Sequence, residues 1–182
     1  MADEVAALAA LNAAATAPDA VQPDAQVYKS LLYCCGSQLW VKKLLARFPV
    51  ADKTALFQAS DAVEQELTRT DWLEAFAAHP RDGDVGRQIG RAKQPIKTWE
   101  AQEQKGTSTA AATTLDRLEE LNNAYFDRFG YIYIVCATGK SADEMLQILE
   151  SRIGNNLEQE LVIAAAEQSK ITKIRLHKLL HE

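Results

Sequence analysis

The chain has 182 residues, 47% of them hydrophobic and 25% charged, with a formal net charge of -5. That length and balance suit a single domain able to bury its own core, and they exclude collagen-like, coiled-coil or wholly disordered chains. The acidic excess offers no general attraction to phosphate backbones or anionic lipid, so neither nucleic acid nor a membrane is an expected partner.

Residues 1–26, MADEVAALAALNAAATAPDAVQPDAQ, are Ala-rich and carry acids but no Lys or Arg, unlike an Arg-rich transit peptide. They are expected to form a flexible N-terminal extension, a frayed helix or tail ending in a Pro-containing linker, with the folded domain over 27–182. Three cysteines, two of them adjacent at Cys34 and Cys35, form neither a disulfide framework nor a metal-ligand spacing. A reducing compartment and no metal are the expectation. The longest apolar run, Tyr131 to Ala137, falls far short of the roughly 20 residues that a membrane helix needs.

The rest of the chain reads as an all-α, single-domain compact fold of about seven to eight helices. Ser37 caps a helix through Arg47 with Leu39, Trp40, Leu44 and Phe48 on one face. Asp52 caps the next, with Leu56, Ala59, Val63 and Leu67 inward. A third starts near Thr70 or Asp71 and stops by Ala78, because the residue before a proline avoids helical dihedrals and Pro80 follows His79. Pro80 to Lys97 is a loop, and Pro95 opens a short helix carrying Trp99, Glu100 and Glu103. A long helix spans about Ala110 to Phe129, with Leu115, Leu118, Leu121, Tyr125 and Phe129 on one face and Gly130 as its stop. Tyr131 to Ala137 is rich in strand-forming residues but has no partner strand, so it is expected to be a buried connector or helix end. Ser141 and Glu144 form a capping box for a helix to Arg152. The last helix runs from about Leu157 to Leu180, with Leu161, Ala164, Gln168, Ile171 and Ile174 along one face.

Few residues combine chemistry with a fixed position. His79 sits at a helix end beside a glycine-rich loop, where an imidazole can give or take a proton near neutral pH. On residue type alone a helix-dipole contact or a surface position is the commoner fate. Glu100 and Glu103 in WEAQEQ lie three apart and share a helical face, ordinarily a solvated one. Arg175, next to inward Ile174, offers either a stem packed on the core or a guanidinium fork for a carboxylate or ureido group. The RDGDVGRQIG stretch reproduces no phosphate-binding loop, so no nucleotide cofactor is implied.

Taken together, CCGSQLWV at 34–41, WLEAFAAHPRDGD at 72–84, EQ at 103–104, LNNAYFDRFGYIYIVCATGKSADEML at 121–146, and EL with AAEQSKITKIRLHKLL within 160–180 give the chain a family resemblance. It resembles the 2-oxo-4-hydroxy-4-carboxy-5-ureidoimidazoline (OHCU) decarboxylases of urate degradation over roughly Tyr28 to Leu180. The resemblance implies an all-helical homodimer that decarboxylates OHCU to (S)-allantoin without a cofactor, in functional sequence with a urate oxidase and a 5-hydroxyisourate hydrolase. It further implies His79 and Glu103 as catalytic residues. Substrate would be bound by Pro80, Glu100, Gln104, Tyr133, Ile134, Val135, Cys136, Ala137 and Arg175, with backbone near Val135 and Ala137 meeting a polar heterocycle. Glu100 stands where the family usually has serine, and Asp82 where it usually has an aliphatic residue. The alternative is a helical interaction module of the same family with impaired catalysis. The C-terminal Leu-Leu-His-Glu lacks a peroxisomal address, so the expected compartment is the cytoplasm, with the peroxisome as the alternative.

Overall fold

The structure is a computed structural model that describes residues 2–79 and 112–181. Among these residues the fold is all-α: α1 (Ala2–Ala15), α2 (Gln26–Cys35), α3 (Gln38–Leu45), α4 (Lys53–Glu64), α5 (Arg69–Ala77), α6 (Ala112–Phe129), α7 (Ala142–Arg152) and α8 (Leu157–Leu179). No described residue lies in a strand. The chain divides into two compact units, one of residues 1–78 with 169–182 and one of residues 79–168. No described helix is long and apolar enough to cross a membrane.

Local signals set most helix boundaries. Ser37 Oγ accepts the Trp40 N–H at 3.3 Å, and Asp52 Oδ1 accepts the Ala55 N–H at 2.7 Å. Each satisfies an orphan amide of a first turn. The α5 cap is Thr68, so the helix starts at Arg69, one or two residues before the expected start, and the Thr68 N–H donates to Asp71 Oδ2 at 2.8 Å. The Ser141–Glu144 box forms as expected, with both reciprocal bonds present. Gly130, at φ +80°, ends α6.

In the first unit the core gathers Tyr28, Leu31, Cys34, Cys35, Trp40, Leu44, Leu56 and Val63 with Leu176 of α8 and Leu180 just after it. Burying a leucine or isoleucine fully is worth about 1.5–3 kcal/mol, so this cluster is the unit's main source of stability. The Ala-rich segment expected to be a flexible extension forms α1 here, and Leu8, Ala15 and Ala20 are buried in that cluster. Asn12 explains part of the attachment. Its Nδ2 donates to Val50 O and its Oδ1 accepts the Val50 N–H, both at 2.9 Å, so it pairs with an otherwise non-helical backbone residue like a rung of a ladder.

Gly36 has φ +90°, and a Cβ placed there would lie 2.7 Å from Ala78 Cβ and 2.9 Å from Ala75 O. Glycine thus serves two needs, the left-handed turn after α2 and the close approach of the C-terminus of α5, the turn that leads into His79.

Two inward assignments differ. Leu115 is 40% exposed, whereas Leu118, Leu121, Tyr125 and Phe129 are buried, so the apolar stripe of α6 begins one turn later than its sequence pattern suggests. On α8 the buried line runs through Glu160, Ala164, Gln168, Ile171, Thr172, Arg175 and Leu176, while Leu161 and Ile174 are half-buried. Arg175 itself therefore faces inward instead of flanking the core.

Urea denaturation tests these contacts. Asn12→Ala strands the Val50 amide and carbonyl and is expected to cost about 1–3 kcal/mol, against a change within about 0.5 kcal/mol for the exposed Asn123→Ala. Gly36→Ala combines left-handed strain with a clash and is expected to cost more than about 1 kcal/mol. An unchanged midpoint in either of these two variants would contradict the corresponding contact.

Candidate active site

His79 follows the last turn of α5, whose C-cap is Ala78. The ring is half-buried, and its Nε2 lies 2.6 Å from Oε1 of Gln168, a fully buried side chain of α8. The imidazole is therefore anchored at one nitrogen by a neutral amide.

The connector over 131–137 has neither helix nor strand, yet its burial alternates: Ile134 and Cys136 are buried, while Tyr133, Val135 and Ala137 are half-buried. Such a segment must find its backbone partners outside regular structure. Arg152 Nη1 donates to Ile134 O at 2.8 Å, the Cys136 N–H donates to Glu167 Oε2 at 2.7 Å, and Lys140 Nζ donates to Cys136 O at 2.7 Å. The Tyr133 hydroxyl donates to Met145 O at 3.2 Å.

Arg152 is held in turn by Glu160. Its Nε and Nη2 donate to Glu160 Oε1 at 2.8 and 2.5 Å, and both side chains are almost fully buried. The Tyr125 hydroxyl donates to the same oxygen at 2.5 Å, and Asn155 Nδ2 donates to Oε2 at 2.7 Å. The guanidinium also lies 4.9 Å from the Tyr133 ring centroid, within cation–π range. Burial works against the Arg152 charge, but Glu160 outweighs it, and the net effect raises the Arg152 pKa. Burial, then the neighbouring carboxylate, pushes the Tyr125 hydroxyl well above its ordinary value. Burial likewise raises Tyr133, with Arg152 acting in the opposite direction. Both phenols thus remain neutral donors at physiological pH.

Arg175 belongs to the first unit. It is 4% exposed, and its Nη1 donates to Tyr33 O at 3.0 Å while the guanidinium lies 4.9 Å from the Tyr33 ring centroid. Nearby in that unit, burial pushes the Cys35 thiol up to about 12, so it stays protonated and unreactive. Burial also raises Glu64, against the hydrogen bond it receives from Ser169.

Of the residues expected at the site, Pro80, Glu100, Glu103 and Gln104 lie outside the described residues, as does the expected helix after Pro95. His79 and the Tyr133–Ala137 run are both held by consecutive residues of α8, Gln168 and Glu167. The side chains of Ile134 and Cys136 are buried. Glu160, Glu167 and Arg152 carry the connector and were not singled out by sequence reasoning. The available signal, for Glu160 alone, was a line at four-residue spacing on α8 in which Glu160, Gln168 and Thr172 flank Ala164, polar residues where a purely structural helix would place apolar ones.

Residues 20–177 match the OHCU decarboxylase family model. The chain belongs to the OHCU decarboxylase family. It is 36% identical over 155 residues to the uric acid degradation bifunctional protein TTL of Arabidopsis thaliana, covering 82% of this chain and 46% of that protein. It is 32% identical over 96 residues to the 2-oxo-4-hydroxy-4-carboxy-5-ureidoimidazoline decarboxylase of Amia calva, covering 53% of this chain and 55% of that one. The matches thus span about half the length of these relatives. A crystal structure of OHCU decarboxylase in the presence of (S)-allantoin superposes with a TM-score of 0.68 at 35% identity, covering 83% of this chain and 96% of that one.

In this member of the OHCU decarboxylase family the Arg152–Glu160 pair is the strut of the connector. Arg152→Ala leaves a buried carboxylate and is expected to cost about 3–5 kcal/mol in urea denaturation. Arg117→Ala, which removes an exposed pair with Glu120, leaves the midpoint nearly unchanged. Equal effects of the two would argue against the buried network.

Proposed function

We propose that the chain catalyses cofactor-independent, stereoselective decarboxylation of OHCU to (S)-allantoin. The observation that supports this best is the His-Pro histidine, His79, anchored through Nε2 by buried Gln168 in a chain of the OHCU decarboxylase family.

The chemistry asks little of the protein beyond orientation and proton delivery. Breaking the bond between the ring carbon and its carboxylate releases carbon dioxide and leaves an electron pair that the adjoining imine-like or carbonyl system delocalises. The same carbon then takes a proton. His79 delivers it to one face as general acid, which fixes the enantiomer. Glu103 orients a hydroxyl or ureido group, and Arg175 holds an anionic or ureido oxygen by charge-assisted bonds. Pro80, Glu100 and Gln104 complete the substrate contacts. In the connector, Arg152, Glu167 and Lys140 engage backbone groups of Ile134 and Cys136, which supports a role for the backbone near half-buried Val135 and Ala137 in meeting the heterocycle. The chain works as a homodimer, downstream of a urate oxidase and a 5-hydroxyisourate hydrolase. Its three cysteines are buried thiols outside any disulfide, which suits a reducing compartment, the cytoplasm.

The test is to generate OHCU in situ from urate and follow circular dichroism of the allantoin formed. The wild-type chain is expected to give (S)-allantoin well above the spontaneous rate. His79→Asn should lower the enantioselective rate by at least about 100-fold, since a general acid contributes roughly 10²–10⁴. A wild-type signal no faster than the blank would favour the interaction module, and full activity in His79→Asn would remove the assigned role.

A further inference from the structure

We propose that Gln168 is a positioning residue for His79, fixing the tautomer in which the proton of the neutral ring sits on Nε2 and Nδ1 is the nitrogen that takes up and delivers the catalytic proton. The functional half of this inference rests on the reading of His79 as the proton donor.

The geometry starts from cost. Gln168 has no exposed surface and lies on the inward line of α8. A buried amide is expensive unless its oxygen and nitrogen are bonded, so its side chain is held where its partners are. One of those partners is the imidazole, at 2.6 Å from the amide oxygen to Nε2. A carbonyl oxygen can only accept, so Nε2 must donate, and the hydrogen bond made by one ring nitrogen decides the role of the other.

A neutral amide suits this task. It fixes ring orientation and tautomer without the charge of a carboxylate, which would stabilise the imidazolium and weaken it as an acid. The adjacent residue, Glu167, accepts the Cys136 N–H at 2.7 Å. Consecutive positions of one rigid helix therefore hold both the histidine and the connector, so a shift of α8 moves both together.

The experiment reads the tautomer directly and the reaction separately. In 15N-labelled protein above the imidazole titration range, the His79 signals, assigned by their loss in His79→Asn, should show Nε2 protonated and Nδ1 unprotonated. The reverse pattern, which is what an amide turned to donate its NH2 to Nε2 would impose, overturns the proposal without any Gln168 variant. Gln168→Leu should reduce the share of the Nε2-protonated tautomer, lowering kcat about 10–100-fold with KM within about twofold, as expected when part of a general-acid contribution is lost. Gln168→Glu keeps an acceptor oxygen and should restore the wild-type tautomer even if Gln168→Leu folds poorly. A tautomer unchanged in Gln168→Leu, or changed with kcat intact, overturns the positioning role. Full activity in His79→Asn would instead remove the functional half, while the tautomer measurement still judges the structural half.

Discussion

The second unit depends on one buried ion pair, Arg152 with Glu160. Taking both charges out of water costs several kcal/mol each, and the attraction between them repays this only when the remaining donors and acceptors are also satisfied. Here they are engaged on every side. Glu160 accepts from Arg152 through two nitrogens, from the Tyr125 hydroxyl and from Asn155, while the third arm of Arg152 reaches the carbonyl of Ile134. With Glu167 and Lys140, which engage the Cys136 amide and carbonyl, the pair supplies side-chain partners in place of a ladder. Without it, the carbonyl of buried Ile134 would lose the partner that Arg152 provides.

A different economy operates in the first unit, where close approach and shape matter more than charge. Gly36 lets α5 end against the turn after α2, and the cluster around Trp40 and Leu44 fixes α3 and α4 beneath it. Arg175 is the exception. Its guanidinium donates to Tyr33 O and lies over the Tyr33 ring, so part of its fork is committed to the fold. An arginine oriented in this way keeps few rotamers, and a lysine at the same position would offer neither its planar fork nor its stacking on the ring.

Much of this was legible in the sequence, and the boundary between what was and was not is physical. Helix caps at Ser37, Asp52 and Ser141, the stop at Gly130 and the end of α5 before Pro80 all rest on interactions within about four residues, which a linear pattern records. The family motifs likewise pointed to His79. What the pattern missed depends on distant partners. Asn12 docks α1 by pairing with Val50, and nothing within residues 1–26 signals that partner. The connector is tied by Arg152 and Glu167, from 18 and 31 positions away. On α8 periodicity found Ala164, Gln168 and Ile171 but missed at the ends of the line, where it weighted Leu161 over Glu160 and Ile174 over Arg175; burial favoured the arginine, whose Nη1 donates to Tyr33 O.

The polar line along α8 explains why that misreading matters. A helix that packs only for stability can exchange one aliphatic residue for another at modest cost, because volume and pattern are what its neighbours register. Glu160, Glu167 and Gln168 are different, since each addresses a particular atom: Arg152, the Cys136 amide, or the His79 ring. Glu167 lies seven positions after Glu160, just short of two helical turns at 3.6 residues per turn, so the two carboxylates lie close to one face and grip the connector at Ile134, through Arg152, and at Cys136. Gln168, the next position after Glu167, is turned about 100° from it around the axis and so reaches a separate group, the imidazole. The spacing of these residues on one rigid rod sets the separation between the anchored histidine and the connector, and insertion or deletion of a single residue between 160 and 168 would rotate one grip away from its target. Such a constraint on register is absent from the exposed face of the same helix, where Val162 stands 69% exposed and contributes nothing to it.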